Sequence, residues 1–385
     1  MHLALYVHDF HSHIGHSRAT KELLNGLTVE QKDSVLSIEV IAYTCGDLDI
    51  MFPEFKCQKV FTEIKLPNLK PFILKALYFH FASLVHSIKN ARNKIKLGIG
   101  IACLNVDLVN VQFIHEQWKP FFFKHRRLST TAYVYKKILF AYFSLCEKYV
   151  YSPKRNCKYV VIANFLTTFL TNKFNTPLKK IQLIPSSVNA SEFDFSPLSS
   201  FEIQQKLSSK YPALKDIRDE LPIILFVGAL ERKGFFKALE LVSTIPNSQL
   251  IVVGQSETPH FKMPNSSTKI VHIPFSKEVR DFYQLADLFI FPTTYEPFGL
   301  VILEAYAMGL DLIIPRENVG ASEIISNNEG VFFFDQDSKI PIPHLRKISL
   351  KEKKERRQFR LESLKAYNWK EGGSKFYDTL KSINV

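Results

Sequence analysis

Short runs of β-branched and aromatic residues, apolar at nearly every position, alternate with helix-length segments along most of the chain. In the first half these runs are LALYVHDF, SIEVIAY, LVNVQFIH, YVVIAN and IQLIPSS. In the second they are IILFVGAL, QLIVVG, KIVHIP, LFIFPTT, DLIIP and GVFFFD. Continuous apolar runs suit parallel strands covered on both faces by helices. Their alternation with helical segments through both halves predicts an α/β protein of two doubly wound, Rossmann-like domains. The polar stretch 196–221, containing SPLSS and YP, separates the two strand series. The expected division is therefore 1–200, 201–365 and a terminal segment 366–385. That segment, with YNWKEGGSKFYDTLKSI, predicts an amphipathic helix burying Trp369, Phe376 and Tyr377, whereas residues 350–365 are charged on most faces and predict a solvated helix. Ligands of open α/β sheets lie beyond the carboxyl ends of the strands, so two such domains in series predict a ligand in a central cleft.

Composition narrows the class. With 385 residues, 46% apolar and 23% charged, the chain can bury a core, which excludes disordered, collagenous and small disulfide-rich proteins. No apolar run reaches the roughly 18–20 residues of a membrane span, and the best candidate, 71–85, is broken by Lys75 and His80. The opening MHLALYVHDF lacks a basic segment and a cleavage site, so a cytoplasmic location is expected. Five cysteines without C-x-x-C spacing predict reduced, mostly buried thiols and no zinc site.

The net charge of +13 is concentrated in the first half. Residues 1–195 hold 25 Lys+Arg against 14 Asp+Glu, and residues 196–385 hold 25 against 23. No acid occurs in 64–106 or in 117–146. The stretches KPFILKALYFHFASLVHSIKNARNKIK and WKPFFFKHRRLSTTAYVYKKILFAYF mix cations with aromatics. Such segments can lie on an anionic membrane surface, or their aromatics can form core while the cations face water. Nucleic acid is not expected as a partner, since no RRM, KH, helix-turn-helix or zinc signature is present.

Two motifs in the second half carry chemistry. FVGALERKG follows the run IILF, so that Gly228 permits a tight exit from a strand and Arg232 and Lys233 follow near a helix mouth, an arrangement suited to an anion or to an exposed basic loop. It is neither a P-loop nor a GxGxxG fingerprint. YEPFGLVILEAYAM follows LFIFPTT and holds Glu296 and Glu304. Pro297 and Gly299 suit a helix start, where backbone N–H groups at Phe298, Gly299 and Leu300 can take a phosphate. If the stretch is helical throughout, the carboxylates stand about 12 Å apart, a spacing for gripping hydroxyls at two ends of one long ligand. The plainer alternative makes Glu296 a helix cap and Glu304 a surface ion-pair partner.

These motifs, with LIVVG, ADLFIFPT and YNWKEGGSKFYDTL, resemble the family 4 retaining glycosyltransferases of GT-B fold over most of residues 150–380. The resemblance implies that Glu304 holds the ribose hydroxyls of a nucleotide sugar and that Arg232 and Lys233 neutralise its diphosphate. Glu296, with the backbone at Phe298, Gly299 and Leu300, would hold the donor sugar. It implies no metal or other cofactor, and a terminal helix that crosses back to the first domain. Two departures stand out: Ala229 replaces a frequent Arg, and Leu310-Asp311 replaces a usual Gly-Thr.

In the first half, KYVVIANFLTTFLTNKFNTPLKKIQLIPSSVNASEF and LCEKYVYSPKRNCKYVVIA resemble the same family, especially its lipopolysaccharide-core members. The family's Gly-rich loop after the first strand, which faces the diphosphate, is reduced here to Gly15, followed by His16. His8, His11, His13 and His16 lack the helical spacing of a metal pair and have no suitable acidic or Cys partners, so they are expected to line an acceptor site or a polar loop. His115 ends the run VNVQFIH, where relatives place a His on the donor sugar; a surface or supporting role is the alternative. Glu116 and Trp118 fall on the acceptor side. Asp47-Leu48-Asp49 reads as a turn. Together these imply a retaining transferase taking a nucleotide-sugar donor and a lipid-linked or cell-surface glycan acceptor, such as lipopolysaccharide core. It would be peripheral on the inner face of an anionic membrane. The rivals are a phosphorylase or nucleotide-sugar epimerase on the same fold, or a catalytically silent surface-binding protein.

Overall fold

The computed structural model describes all residues except 125–127, 231, 255–267, 337, 342–343 and 384–385. The chain divides into two compact units, Met1–Ser186 joined by Trp369–Val385, and Ser187–Asn368. The first is built on a seven-stranded sheet. Its strands lie in the order Gln58–Glu63, Ser37–Ala42, His2–Tyr6, Ile95–Ile99, Leu108–Val111, Lys158–Val161 and Ile181–Leu183. Every adjacent pair is parallel. The second unit carries a six-stranded parallel sheet ordered Lys269–Ile273, Gln249–Val253, Ile223–Val227, Leu288–Ile290, Asp311–Pro315 and Val331–Phe334. In both sheets the order runs 3-2-1 and then reverses to 4-5-6, the doubly wound topology expected from the sequence.

Eleven strands fall on the eleven apolar runs. Two main strands do not. Gln58–Glu63 is an edge strand, QKVFTE, largely exposed, so its composition carries little apolar signal. Ile95–Ile99 is IKLGI, with a Lys and a Gly inside it. Central strands are the opposite: Ile223–Val227 and Asp311–Pro315 are buried at every position.

The terminal helix Trp369–Lys381 packs on the first unit, not on the one that precedes it in the chain. It buries Phe376 and Leu380 in that unit's core, with Trp369 and Tyr377 partly buried beside them. Its backbone comes very close to the end of helix Gly15–Asn25. A Cβ on Gly26 would lie 1.9 Å from the Trp369 carbonyl oxygen, and one on Gly373 would lie 2.5 Å from the Gly26 carbonyl carbon. Glycine at both positions is what lets the helix dock.

The expectation of a solvated helix over 350–365 is corrected. Helix Leu350–Ser363 buries Lys353 and Arg360. Lys353 Nζ donates to the carbonyls of Gln284 and Ala286, at 2.9 and 2.5 Å. Arg360 donates to the carbonyls of Tyr306, Leu310 and Glu329, at 3.2, 2.7 and 3.0 Å. These cations bond carbonyls at the ends of helices and strands, where the regular backbone ladder stops. Charge pattern alone cannot separate such a clamp from a wet face. All five cysteines are free thiols.

Candidate functional site

In the second unit the strand order reverses between Ile223–Val227 and Leu288–Ile290. The loops that leave these two strands carry both candidate motifs. The first turns at Gly228, φ +130°, and ends at Gly234, φ +80°, the N-cap of helix Phe235–Val242. A Cβ on Gly234 would lie 2.2 Å from the Pro292 carbonyl oxygen, so the two loops touch backbone to backbone. Thr293 Oγ1 donates to the Arg232 carbonyl at 3.1 Å and ties them again.

This contact brings Arg232, Lys233 and Glu296 together. Lys233 Nζ and Arg232 Nη1 both bond Glu296 Oε2, the latter at 3.1 Å. Lys233 and Glu296 are buried, while the Arg232 side chain is 35% exposed. Burial, and then the Arg232 charge, push the Lys233 ammonium down to about 8. Burial alone would raise the Glu296 carboxyl, but Lys233 and Arg232 outweigh it and hold it below the usual range.

The stretch from Glu296 to Glu304 is not one helix. Glu296 bridges to Val319, and its N–H donates to the Asn318 carbonyl at 2.8 Å. The helix covers only Leu300–Ala307, with Gly299 as N-cap at φ +92° and no side-chain cap. The 12 Å helical separation and the place of Pro297 in a first turn are therefore corrected, because residues 296–298 are pinned to 319–321. The Gly320 N–H donates to the Glu296 carbonyl at 3.2 Å and the Ala321 N–H to the Phe298 carbonyl at 2.8 Å. Phe298 is buried, Gly299 is buried, and Leu300 is half-buried as the first helical residue. The Ile302 N–H donates to the Gly299 carbonyl at 2.9 Å, and the N–H groups of Leu300 and Val301 at the uncapped start have no carbonyl partner inside the helix.

Glu304 is no surface residue. It is 3% exposed and accepts the Tyr283 hydroxyl at 3.0 Å; that hydroxyl also reaches the Val301 carbonyl at 3.2 Å. Tyr283 was invisible to motif reading because it lies on the separate helix Val279–Leu285.

In the first unit, Gly15 and His16 open helix Gly15–Asn25, whose N-cap, Ile14, offers no side-chain bond. Gly15 is exposed, with nothing within 4 Å of an added Cβ. Burial lowers the His16 pKa against the opposing pull of Asp9. His8 stacks against Phe79 at 4.5 Å, and burial drives its pKa down to about 3. His11 bonds Thr44 Oγ1 at 2.9 Å and stacks on His13 at 5.3 Å. Among the described residues no group of three or more His, Cys, Asp or Glu could hold a metal ion. Asp47 is the N-cap of helix Leu48–Met51, and Asp49 pairs with Lys59 at 2.7 Å.

His115 begins helix His115–Lys124, half-buried, with its ring 4.3 Å from that of Phe143. Glu116 accepts the Ser144 hydroxyl and pairs with Lys119 at 3.5 Å and Lys173 at 3.3 Å. Burial opposes its ionisation, but these partners hold the carboxyl below its usual range. Trp118 stacks on Phe121 at 6.3 Å in an aromatic cluster with Phe122. Of the basic-aromatic stretches, His125, Arg126 and Arg127 lie outside the described residues.

Two helices of those stretches, Phe72–Lys89 and Thr130–Val150, divide their apolar residues between core and surface. Phe79, Phe140 and Phe143 are buried, as the core alternative requires. Yet helix Thr130–Val150 exposes Val134, Ile138, Ala141, Leu145 and Tyr149, all within one face at ~100° per residue. Helix Phe72–Lys89 exposes Leu74, Leu77, Phe81 and Ile88, again on one face. No helix of the described residues is long and apolar enough to cross a membrane.

Residues 209–363 match the family model of glycosyl transferases group 1, which bears out the resemblance drawn from the motifs. An uncharacterised glycosyltransferase of Methanocaldococcus jannaschii is 25% identical over 198 residues, 48% of this chain and 49% of that protein. The alpha-monoglucosyldiacylglycerol synthase of Acholeplasma laidlawii is 29% identical over 166 residues, 39% of this chain and 40% of the synthase. The chain thus matches at most about half the length of these relatives. WaaG, a glycosyltransferase involved in lipopolysaccharide biosynthesis, superposes with a TM-score of 0.66 over 99% of this chain and 97% of its own, at 15% identity. That likeness identifies the fold as GT-B.

Proposed function

We propose that this chain, whose residues 209–363 form a group 1 glycosyl transferase domain, is a retaining glycosyltransferase. It moves a sugar from a nucleoside diphosphate-sugar onto a lipid-linked or cell-surface glycan. The observation that carries this reading is the trio Arg232, Lys233 and Glu296 at the strand-order reversal, in the same pinned loop pair as the uncapped helix start at Leu300. Two cations share a single carboxylate, so the trio keeps a surplus positive charge for an arriving diphosphate. As the glycosidic bond breaks, negative charge grows on the departing diphosphate. Arg232, Lys233 and the helix N–H groups stabilise it without a metal. Glu296, displaced from the cations by the diphosphate, is then available to the sugar hydroxyls. Glu304, oriented by Tyr283, suits the ribose hydroxyls. The resemblance assigns His115 to the transferred sugar and Gly15 to the donor, and His16, Glu116 and Trp118 are placed on the acceptor side. The ion pairs and Ser144 bond of Glu116 make it a brace for its helix.

The acceptor reading rests on the two exposed apolar stripes. They lie in segments that contain cations and, apart from the fully buried Glu147, no acids, which suits an interfacial position on anionic lipid at the inner face of a membrane. A lipid acceptor, as the name of the Acholeplasma relative indicates for that enzyme, would be met at such a surface.

Thermal shift against UDP-, GDP- and ADP-sugars tests the donor class, since a ligand stabilises by RT ln(1 + [L]/Kd). The expected outcome is a rise in Tm with one nucleotide series. Absence of binding by every nucleoside diphosphate would overturn the reading. Donor turnover without acceptor, by phosphate or by isomerisation, would instead favour the phosphorylase or epimerase.

A further inference from the structure

Glu147 is completely buried, and in a helix that otherwise offers an apolar stripe to the surface it is an isolated acid. An ionised carboxylate out of water needs partners, and here they are few and specific. Glu147 Oε1 accepts the His115 backbone N–H at 2.6 Å and faces His115 Nδ1 at 2.9 Å. Its Oε2 accepts the Glu116 backbone N–H at 2.9 Å. Among the described residues no Lys or Arg pairs with it; its one ion-pair contact is the His115 ring. The carboxylate therefore serves a single place: the first turn of helix His115–Lys124 and the imidazole that opens it.

We propose that Glu147 is the positioning residue for His115, fixing both its ring orientation and its tautomer. An ionised carboxylate can only accept, so Nδ1 carries a proton, and in the neutral imidazole Nε2 is then left with its lone pair. The Phe143 ring, 4.3 Å away, holds the imidazole plane, and the two backbone bonds hold its Cα. The partner that suits Nε2 in this state is a hydrogen-bond donor, which for a sugar substrate is a hydroxyl. This last step rests on the glycosyltransferase reading; the tautomer does not.

The experiment begins with the full chain, uniformly unliganded and 15N-labelled at histidine, with the His115 signals assigned by their loss in His115→Ala. Two-bond imidazole correlations should show His115 in the Nδ1–H form, and Glu147→Gln, whose amide can donate to Nδ1, should shift it towards Nε2–H. A wild-type His115 in the Nε2–H form, or a tautomer unmoved by Glu147→Gln, overturns the proposal. The wild-type measurement decides even if the variant does not fold. Kinetics with the donor found by thermal shift then read the coupling: Glu147→Gln should lower kcat/KM about 10–100-fold, and add nothing further in the His115→Ala background. Independent, multiplicative losses would mark a merely structural role and overturn it. Full activity of His115→Ala alone would instead reject the assignment of His115 to the sugar and leave the tautomer result standing.

Discussion

Lys233 and Glu296 form a buried ion pair in which the carboxylate also holds Arg232, so one acid balances two cations. Removing a buried counter-charge is costly, on the order of 3–5 kcal/mol, because the remaining ion is stranded. The pair therefore gives different expectations for stability and for binding. Glu296→Gln should lower Tm, and saturating nucleoside diphosphate should restore much of that loss by supplying the missing negative charge. A variant as stable as wild type, or one that the diphosphate does not stabilise more than it does wild type, would refute the link between the trio and the diphosphate.

The same pair makes binding pH-dependent. Burial and Arg232 bring the Lys233 ammonium down to about 8. The anion binds the charged form, so affinity for a nucleoside diphosphate should fall as pH rises through about 8, by up to about tenfold per unit. Binding near pH 8.5 should be accompanied by proton uptake, visible by calorimetry in buffers of different ionisation enthalpy. Lys233→Arg, charged throughout this range, should flatten the profile. Unchanged affinity of the wild type between pH 7 and 9.5 would remove Lys233 from the anion site.

Tyr283 and Glu304 offer a test of the nucleotide end. The hydroxyl at 3.0 Å fixes the carboxylate of Glu304 from an adjacent helix. Tyr283→Phe removes this bond, and a hydrogen bond to a charged group contributes about 1.5–3 kcal/mol. Donor KM should rise roughly 10-fold with kcat little changed, whereas Glu304→Ala should raise it further. A kcat defect at unchanged KM would place Glu304 away from the nucleotide.

The sequence made the strand series and the family motifs legible because buried parallel strands write themselves as unbroken apolar runs. Edge strands do not: Gln58–Glu63 is mostly exposed, and no burial pattern shaped it. Three candidate residues are legible singly, Arg232, Lys233 and Glu296, but their pairing is not, because it depends on how two loops about 60 residues apart touch at Gly234 and Pro292. Glu147 left a trace that could have been used. It ends the acid-free run 117–146 amid Leu145, Cys146 and Tyr149, and a lone acid among apolar neighbours calls for a partner. The reading of 350–365 as solvated failed for the reverse reason: Lys353 and Arg360 sit among so many charges that the buried two cannot be told apart.

Arg360 carries a stability prediction. Its guanidinium, lowered to about 10 by burial, binds three carbonyls and lies 4.7 Å above the Tyr306 ring. Arg360→Met keeps much of the packing volume and removes the bonds to the Leu310 and Glu329 carbonyls, at about 1–3 kcal/mol for an unsatisfied buried group. Urea unfolding should show a midpoint lowered by at least 2 kcal/mol equivalent, well beyond the effect of truncating exposed Lys351 on the same helix. Equal effects at both positions would return the helix to the solvated description.

Glu39 sets an acid limit for the first unit. Burial opposes its ionisation, but His86, Lys94 and Thr62 bond the carboxylate and together bring it down to about 2. A carboxyl with a folded pKa below its unfolded value of about 4.3 stabilises the fold above that value. The contribution is lost as pH falls from about 4.3 towards 2. Glu39→Gln should therefore destabilise the protein at pH 7 and make its stability less steep between pH 4.5 and 2.5, as followed by urea unfolding at each pH. Parallel curves for the two proteins would show that Glu39 is not the group that titrates.

The proposed membrane association has a charge part and an apolar part that can be tested separately. Leu145 and Phe81 are each 67% exposed, on helices whose opposite faces are buried, so changing them leaves the core intact. Each buried apolar side chain of this size contributes about 1.5–3 kcal/mol on leaving water, and each cation near an anionic surface about 1 kcal/mol. Vesicles with anionic lipid should therefore carry the wild type in flotation at low salt, and neutral phosphatidylcholine vesicles should carry much less. Leu145→Asp should weaken binding at least 10-fold by placing a repelled charge in the stripe, and Leu145→Ser should weaken it less. Raising salt should reduce the wild type's binding without abolishing it, because the apolar share is not screened. Wild-type protein that stays with the aqueous fraction at low salt would show that these stripes meet something other than anionic lipid.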